Sequence, residues 1–436
     1  MKAKNPFIVL LICTIGILNI ITYGSELVKL NNQYKIALIN AQDIQAFNYP
    51  KETTIVQLAQ QLTCVFYYYA LYSFHRSQLK FIRNDYQLVL YIIASRWLIT
   101  SFPFSLWQIF WIDNQYGFNK KPLSLFLCED LLLQLIILIV GIFLVYLFNF
   151  VAKTIANIND DTLVLEQDQS EDTSSFLQYT SSSNQMDEET KHRKTSIHEI
   201  FNLYFIIVGC AAFLMSFFIQ SIWKRSDVIQ PNAKLSKAFS ELFFVHRLLF
   251  NNPVVYAESS SSTKLTIGFQ GLLSQNVVIS DNLVNSLNHG QLCSILAIYQ
   301  YRANSQEGVL KLITYIFELM FIPVSAHYIV SRNIKKNLRL KNMLLAVVPI
   351  LVVHMFIVDF FFSKLRLVLG QKMFLNGIEF AADLNLPIAD ALVRLFVLNH
   401  DTINHSFLYS LFQMDIPTLE NALINVAWAK TKFIGL

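Results

Sequence analysis

Charge is what this sequence has least of. Asp, Glu, Lys and Arg make up 15% of its 436 residues, against 54% hydrophobic ones; ordinary soluble domains carry about 25% charged residues. That shortage excludes a soluble globule of this length, because its surface would lack the polar groups that face water. The five cysteines, Cys13, Cys64, Cys128, Cys210 and Cys293, are scattered and form no CxxC pair, so neither a disulfide framework nor a zinc knuckle is indicated. No GxSxG, GxGxxG or Walker motif occurs, and no two of the nine histidines stand four apart. The signatures of serine hydrolases, dinucleotide enzymes, NTPases and HExxH proteases are therefore all missing. The net charge of +4 is small and the basic residues sit mainly in loops, which speaks for membrane topology and against nucleic acid as a partner.

What the chain has instead is long apolar runs, with a mean hydropathy of +0.42. A transmembrane helix needs about 20 mostly apolar residues. Seven such stretches lie near 6–24, 55–75, 86–112, 125–152, 200–223, 309–330 and 342–363. The run Pro6 to Tyr23 is too long for the 7–15-residue core of a signal peptide and is read as a retained helix. Gln57, Gln60 and Gln61 interrupt the second stretch, and Tyr67, Tyr68 and Tyr69 near its end suit an interfacial belt or a polar interior. Arg96 and Pro103 stand in the third, where a charge either faces protein or a water-filled cavity or snorkels to the interface.

Composition divides the chain into residues 1–155 with four membrane helices, a loop at 156–199, a fifth helix at 200–223, a polar insert at 224–308, helices six and seven at 309–363, and a helical end at 364–436. The loop holds nine acidic residues from Asp160 to Glu189 and the run Ser181, Ser182, Ser183. It is too polar to offset the entropy of ordering and is expected to be disordered. The insert carries helical periodicity over 234–250, short β-like runs at 254–256, 265–267 and 277–279, and a further helical run from about 284 to 302. The expected architecture is an all-α multi-pass membrane protein, with about seven helices enclosing a chamber, and a small α+β insert.

Three strings in order resemble the type 1 CAAX prenyl proteases, the seven-helix membrane zinc metalloproteases. Trp111 to Lys120, ending Tyr116-Gly117-Phe118-Asn119-Lys120, is similar to the family loop ending H-G-F-N-K, with Tyr116 for the histidine. Val255-Tyr256 through Gly268, then Asn276 to Asp281, resembles the strand pair before the catalytic helix. Leu408 to Glu420 resembles L-Y-S-x-x-H-x-S-H-P-x-L-x-E, keeping Pro417, Leu419 and Glu420. The resemblance spans roughly 50–436. It implies an intramembrane chamber capped by a protease domain, residence in the endoplasmic reticulum or nuclear envelope, and removal of the last three residues from prenylated tails.

The chemistry that the resemblance implies is not written in this chain. The family keeps HExxH on the helix after the strand pair, two imidazoles one turn apart with a glutamate as general base. The matching helix here is Gln291 to Arg302, and in that register Ile298 and Arg302 replace the histidines and Tyr299 the glutamate. An isoleucine offers no lone pair, a guanidinium repels a dication, and a phenol with an ordinary pKa near 10 is a poor base. Glu379, in Glu379-Phe380-Ala381-Ala382-Asp383, matches the family's E-x-x-A-D and is a possible remnant of the third ligand, or a solvated face of a helix. His400 and His405, five apart, splay by about 140° on an ideal helix. Ser259 and Ser260 lie where the family has polar residues near substrate, or in a surface loop.

The expectation is therefore a catalytically degenerate pseudoprotease without a cofactor, whose partners are the bilayer and prenylated or hydrophobic protein tails. The alternative is an active zinc metalloendopeptidase with an unrecognised metal site. A channel or transporter, supported by Arg96 and the polar second helix, is the third reading. Orientation is left in conflict. The basic loop with Arg332, Lys335, Lys336, Arg339 and Lys341 favours one side of the membrane, and the family arrangement favours the other.

Overall fold

The computed structural model describes residues 6–39, 45–78, 84–139, 141–143, 228–229, 233–244, 254–257, 262–270, 276–305, 307–318, 340–401 and 405–434, with positions 82, 146 and 321. The expected loop at 156–199, the helix at 200–223 and the serines Ser259 and Ser260 lie outside the described residues, as do residues 322–339.

Two 34-residue helices, α1 (Pro6–Ile39) and α2 (Gln45–Gln78), pack along each other. Each is about 51 Å long at 1.5 Å per residue, well over the roughly 30 Å of a hydrocarbon core. The glutamines that interrupt α2 are met by protein. Gln60 Nε2 donates to the Thr100 carbonyl at 3.1 Å, Gln57 Oε1 accepts from the Tyr409 hydroxyl at 2.9 Å, and Gln61 Oε1 accepts from Asn19 at 3.5 Å. A segment too polar to face lipid is thereby turned inward.

Helix α3 (Asp85–Arg96) begins at Asn84, whose side chain accepts from the Gln87 amide. Two π-helical segments, Trp97–Ser101 and Trp107–Asp113, then flank the short α4 (Phe102–Leu106). Pro103 in the first turn of α4 has no N–H to donate, and the wider π turn beside it keeps the chain helical. Arg96 sits exposed on the outside of this assembly. Trp97 Nε1 donates to Asp130 Oδ2 at 2.7 Å and ties it to α5 (Leu123–Phe143).

The insert holds β1 (Val228–Ile229), α6 (Ala233–Phe244), β2 (Val254–Tyr256), β3 (Ile267–Gln270) and β4 (Asn276–Ser280) in a sheet of order β1-β2-β4-β3. The central β2–β4 pair is parallel and the outer pairs are antiparallel. The β-like runs at 254–256 and 277–279 are strands. The run at 265–267 shifts to 267–270, because β3 takes its register from β4, with Ile267 opposite Ile279 and Gln270 opposite Asn276. The helical run expected over 284–302 is two helices, α7 (Asp281–Ser286) and α8 (His289–Asn304). Asn288 breaks it by capping α8: its side chain accepts from the Gln291 amide at 2.8 Å while the Gln291 side chain accepts from the Asn288 amide at 3.0 Å, a reciprocal capping box.

Residues 307–318 are helical (α9). Then comes α10 (Leu340–Asp383), a single 44-residue helix, followed by α11 (Ile388–Leu398), α12 (Phe407–Gln413) and α13 (Leu419–Ile434). The boundary at 363/364 falls inside α10, so one rod joins two cores. Val353 and Ile357 pack with α1 and α2, while Phe374, Ile378, Ala381 and Ala382 pack with α8 under the sheet. Among the described residues, four helices are long and apolar enough to cross a membrane: Pro6–Lys35, Tyr86–Asp113, Leu123–Phe143 and Val348–Asp383. The chain is a mostly helical, multi-pass membrane protein with a small sheet domain.

Candidate functional site

Beyond β4 and the short α7 comes α8, and its centre is sealed. Leu292 through Gln300 and Arg302 are all buried. Ile298 is fully buried against Gly377 of α10, where an added Cβ would stand 2.9 Å from the Ile298 carbonyl oxygen and 3.1 Å from its Cγ2. Two helix backbones meet here with no room for a side chain between them. Tyr299 is 2% exposed and lies between Phe269 of β3 and Phe374 of α10, ring centroids 5.5 and 5.9 Å away. Burial pushes the Tyr299 hydroxyl up to about 12, with the Arg302 charge opposing, so it is a neutral phenol at physiological pH.

Arg302 is the most telling of the three. Its guanidinium donates from Nε to Glu307 Oε2 at 2.8 Å and from Nη2 to Glu307 Oε1 at 2.9 Å. Lys311 Nζ adds a contact to Glu307 Oε1 at 2.7 Å. The side chains of Arg302 and Glu307 are 2% and 0% exposed. Three rings, those of Phe269, Tyr299 and Phe374, surround the guanidinium carbon at 5.1, 5.1 and 5.5 Å, inside the range of cation–π attraction. Burial works against the Arg302 charge, but the bonds to Glu307 outweigh it and hold the guanidinium above its usual range. Glu379, two residues beyond Gly377 on α10, is half-buried.

A zinc ion at this place is tested by its donors. Structural and catalytic zinc sites use imidazole, thiolate or carboxylate. Position 298 has an aliphatic side chain and position 302 a fixed cation already committed to a carboxylate. The residues do not fit a divalent metal there, and no step of any reaction is derived through one. His400 and His405 also serve elsewhere. His400 follows α11 at φ 52 with its ring 5.3 Å from that of Phe118, and His405 Nδ1 meets Glu26 Oε1 of α1 at 2.7 Å.

The loop carrying Tyr116-Gly117-Phe118-Asn119 docks on the insert. Thr263 donates its amide to the Phe118 carbonyl at 3.1 Å and its hydroxyl to the Gly117 carbonyl at 3.0 Å, and Asn119 bridges to Ser262. Gly117 has φ 72, a conformation that favours glycine. Beneath the loop, Asp113 Oδ1 accepts from Tyr49 at 3.0 Å, Gln108 at 3.1 Å and Lys264 at 3.1 Å. Sequence reasoning missed this carboxylate and missed Glu307. Asp113 is separated from Lys264 by 151 positions, and the 302/307 spacing of five bridges a helix end, where side-chain periodicity gives no signal.

Residues 45–158 match the family model described as CAAX prenyl protease N-terminal, five membrane helices. No curated protein matches the sequence significantly. Among solved structures, the crystal structure of S. mikatae Ste24p is similar, with a TM-score of 0.59 at 16% identity over 95% of this chain and 98% of that one; the two share a fold.

Proposed function

We propose that this chain, a member of the type 1 CAAX prenyl protease-like family, is a pseudoprotease that binds lipidated or hydrophobic polypeptide tails without cleaving them. The observation that carries this reading is the sealed knot at Arg302. Where the family places a metal-binding imidazole, this protein has a buried guanidinium held bidentately by Glu307 and boxed by Phe269, Tyr299 and Phe374. The site would bind no metal, and no group at 298, 299 or 302 is suited to activate water. What the membrane fold retains is apolar surface for burying a hydrophobic tail, worth about 0.8 kcal/mol for each CH₂ removed from water. The same reading places the protein in the endoplasmic reticulum or nuclear envelope.

The test uses the purified full chain in detergent and a fluorescent farnesylated peptide ending in a CAAX sequence. Saturable binding that weakens when the prenyl group is shortened or absent, with no release of the last three residues, supports the proposal. Turnover of the peptide that a chelator abolishes would establish the active zinc endopeptidase instead.

A further inference from the structure

We propose that Glu241, His289 and Cys293 form a site for a zinc-class divalent ion, on the face of α8 opposite the sealed protease position. Nε2 or Nδ1 of His289, Sγ of Cys293 and a carboxylate oxygen of Glu241 all lie within 4.8 Å of one another. His289 Nε2 stands 2.5 Å from Glu241 Oε2 and 3.8 Å from Cys293 Sγ.

The geometry is that of a metal site one small movement from closing. With Zn–N near 2.05 Å and Zn–S near 2.3 Å, tetrahedral angles put N and S about 3.6 Å apart and N and O about 3.3 Å apart. The sulfur is already at that spacing. The carboxylate must withdraw by about 0.8 Å, which is a rotamer adjustment for a half-exposed glutamate. His289 and Cys293 are four residues apart on one helix, so both side chains project from one face, and Glu241 comes from α6, which packs on that face.

Position along α8 separates this set from the family's. The pair 289/293 precedes the pair 298/302 by nine residues, about 13 Å of rise and 900° of rotation. The two pairs therefore look in opposite directions, one toward α6 and the other toward α10.

Burial and donor chemistry point to the ligand class. Cys293 is 1% exposed, whereas the side chains of His289 and Glu241 are 34% and 39% exposed. An ion would enter from the rim, seat against the thiolate, and keep its fourth position open to water. Sulfur with imidazole and one carboxylate selects zinc over the oxygen-seeking calcium and magnesium. A dication binds cysteine as the thiolate, so binding would release the thiol proton and clip α6 to α8.

The experiment is a cobalt(II) titration of the chelator-stripped full chain in detergent, followed by zinc displacement. The expected result is one ion per chain with a near-ultraviolet thiolate-to-cobalt charge-transfer band, removed by Cys293→Ser. His289→Asn, at a half-exposed position, should weaken binding by at least the roughly 10–100-fold lost with outer-shell partners, and it carries the test if Cys293→Ser does not fold. Arg302→Leu should leave the band unchanged. Absence of saturable binding, or a band that persists in Cys293→Ser, overturns the proposal. Peptidase activity plays no part in the readout, so failure here leaves the tail-binding reading standing.

Discussion

The guanidinium of Arg302 and the carboxylate of Glu307 meet through two parallel hydrogen bonds, 2.8 and 2.9 Å long, with both side chains withdrawn from solvent. Such a fork is the strongest geometry open to an ion pair, and breaking it by removing one partner strands a charge in a low-dielectric interior. Arg302→Leu is expected to destabilise the protein by about 3 kcal/mol, the low end of the range for a broken buried pair, since Lys311 still faces Glu307. The double variant Arg302→Leu/Glu307→Leu should recover most of that loss. Thermal unfolding of the two single variants and the double variant in detergent measures both terms; equal loss in single and double variants would contradict the assignment.

Gly377 and Gly24 should respond to alanine with opposite signs. A Cβ at Gly377 would stand 2.9 Å from the Ile298 carbonyl oxygen, which is backbone and cannot rotate away. Gly377→Ala should cost about 1–3 kcal/mol through overpacking. Gly24 of α1 has nothing within 4 Å of the same construction, so Gly24→Ala should gain about 0.5–1 kcal/mol from helix propensity. The pair of melting temperatures is the check.

Asp113 anchors the sheet domain to the membrane helices. Its Oδ1 collects Tyr49, Gln108 and Lys264, so Asp113→Ala leaves several donors without their acceptor. A loss of about 1–3 kcal/mol is expected. Hydrogen exchange should accelerate at 262–264, where the loop is docked, more than within α8. Uniform acceleration across both would place the effect elsewhere.

Glu26 is fully buried in α1 and accepts from the Ser406 amide at 2.5 Å besides its contact with His405. Removing its carboxylate by Glu26→Leu should release the start of α12, where Ser406 also caps the helix by accepting from the Tyr409 amide. Faster amide exchange over 405–410 with little change in α2 is the expected signature. Protection unchanged from the parent protein would show that α12 is held by its apolar contacts alone.

The membrane class of this protein was legible from composition, because lipid is a solvent that selects residue type directly. The side-chain chemistry of positions 298, 299 and 302 was equally plain, since the absence of a lone pair on isoleucine and the fixed charge of arginine do not depend on the fold. Two strands and the helix containing Gln291 to Arg302 were also readable, from short apolar runs and helical periodicity, but not the cap at Asn288 that splits the run into two helices. The third strand was misplaced by two residues, because its register with β4 is fixed by a partner strand and not by its own sequence.

Only tertiary structure decided where the charges went. Arg302 as a lone residue says nothing of Glu307 or of the three rings around it, which come from β3, α8 and α10. The spacing of His289 and Cys293 was present in the chain, but a histidine and a cysteine four apart form no recognised metal motif by themselves, and Glu241 lies 48 positions away from His289. Local periodicity encodes which face of a helix a residue occupies. Which other face it meets depends on packing between segments far apart in sequence, and that is where both the sealed cluster around Arg302 and the three-donor cluster arise.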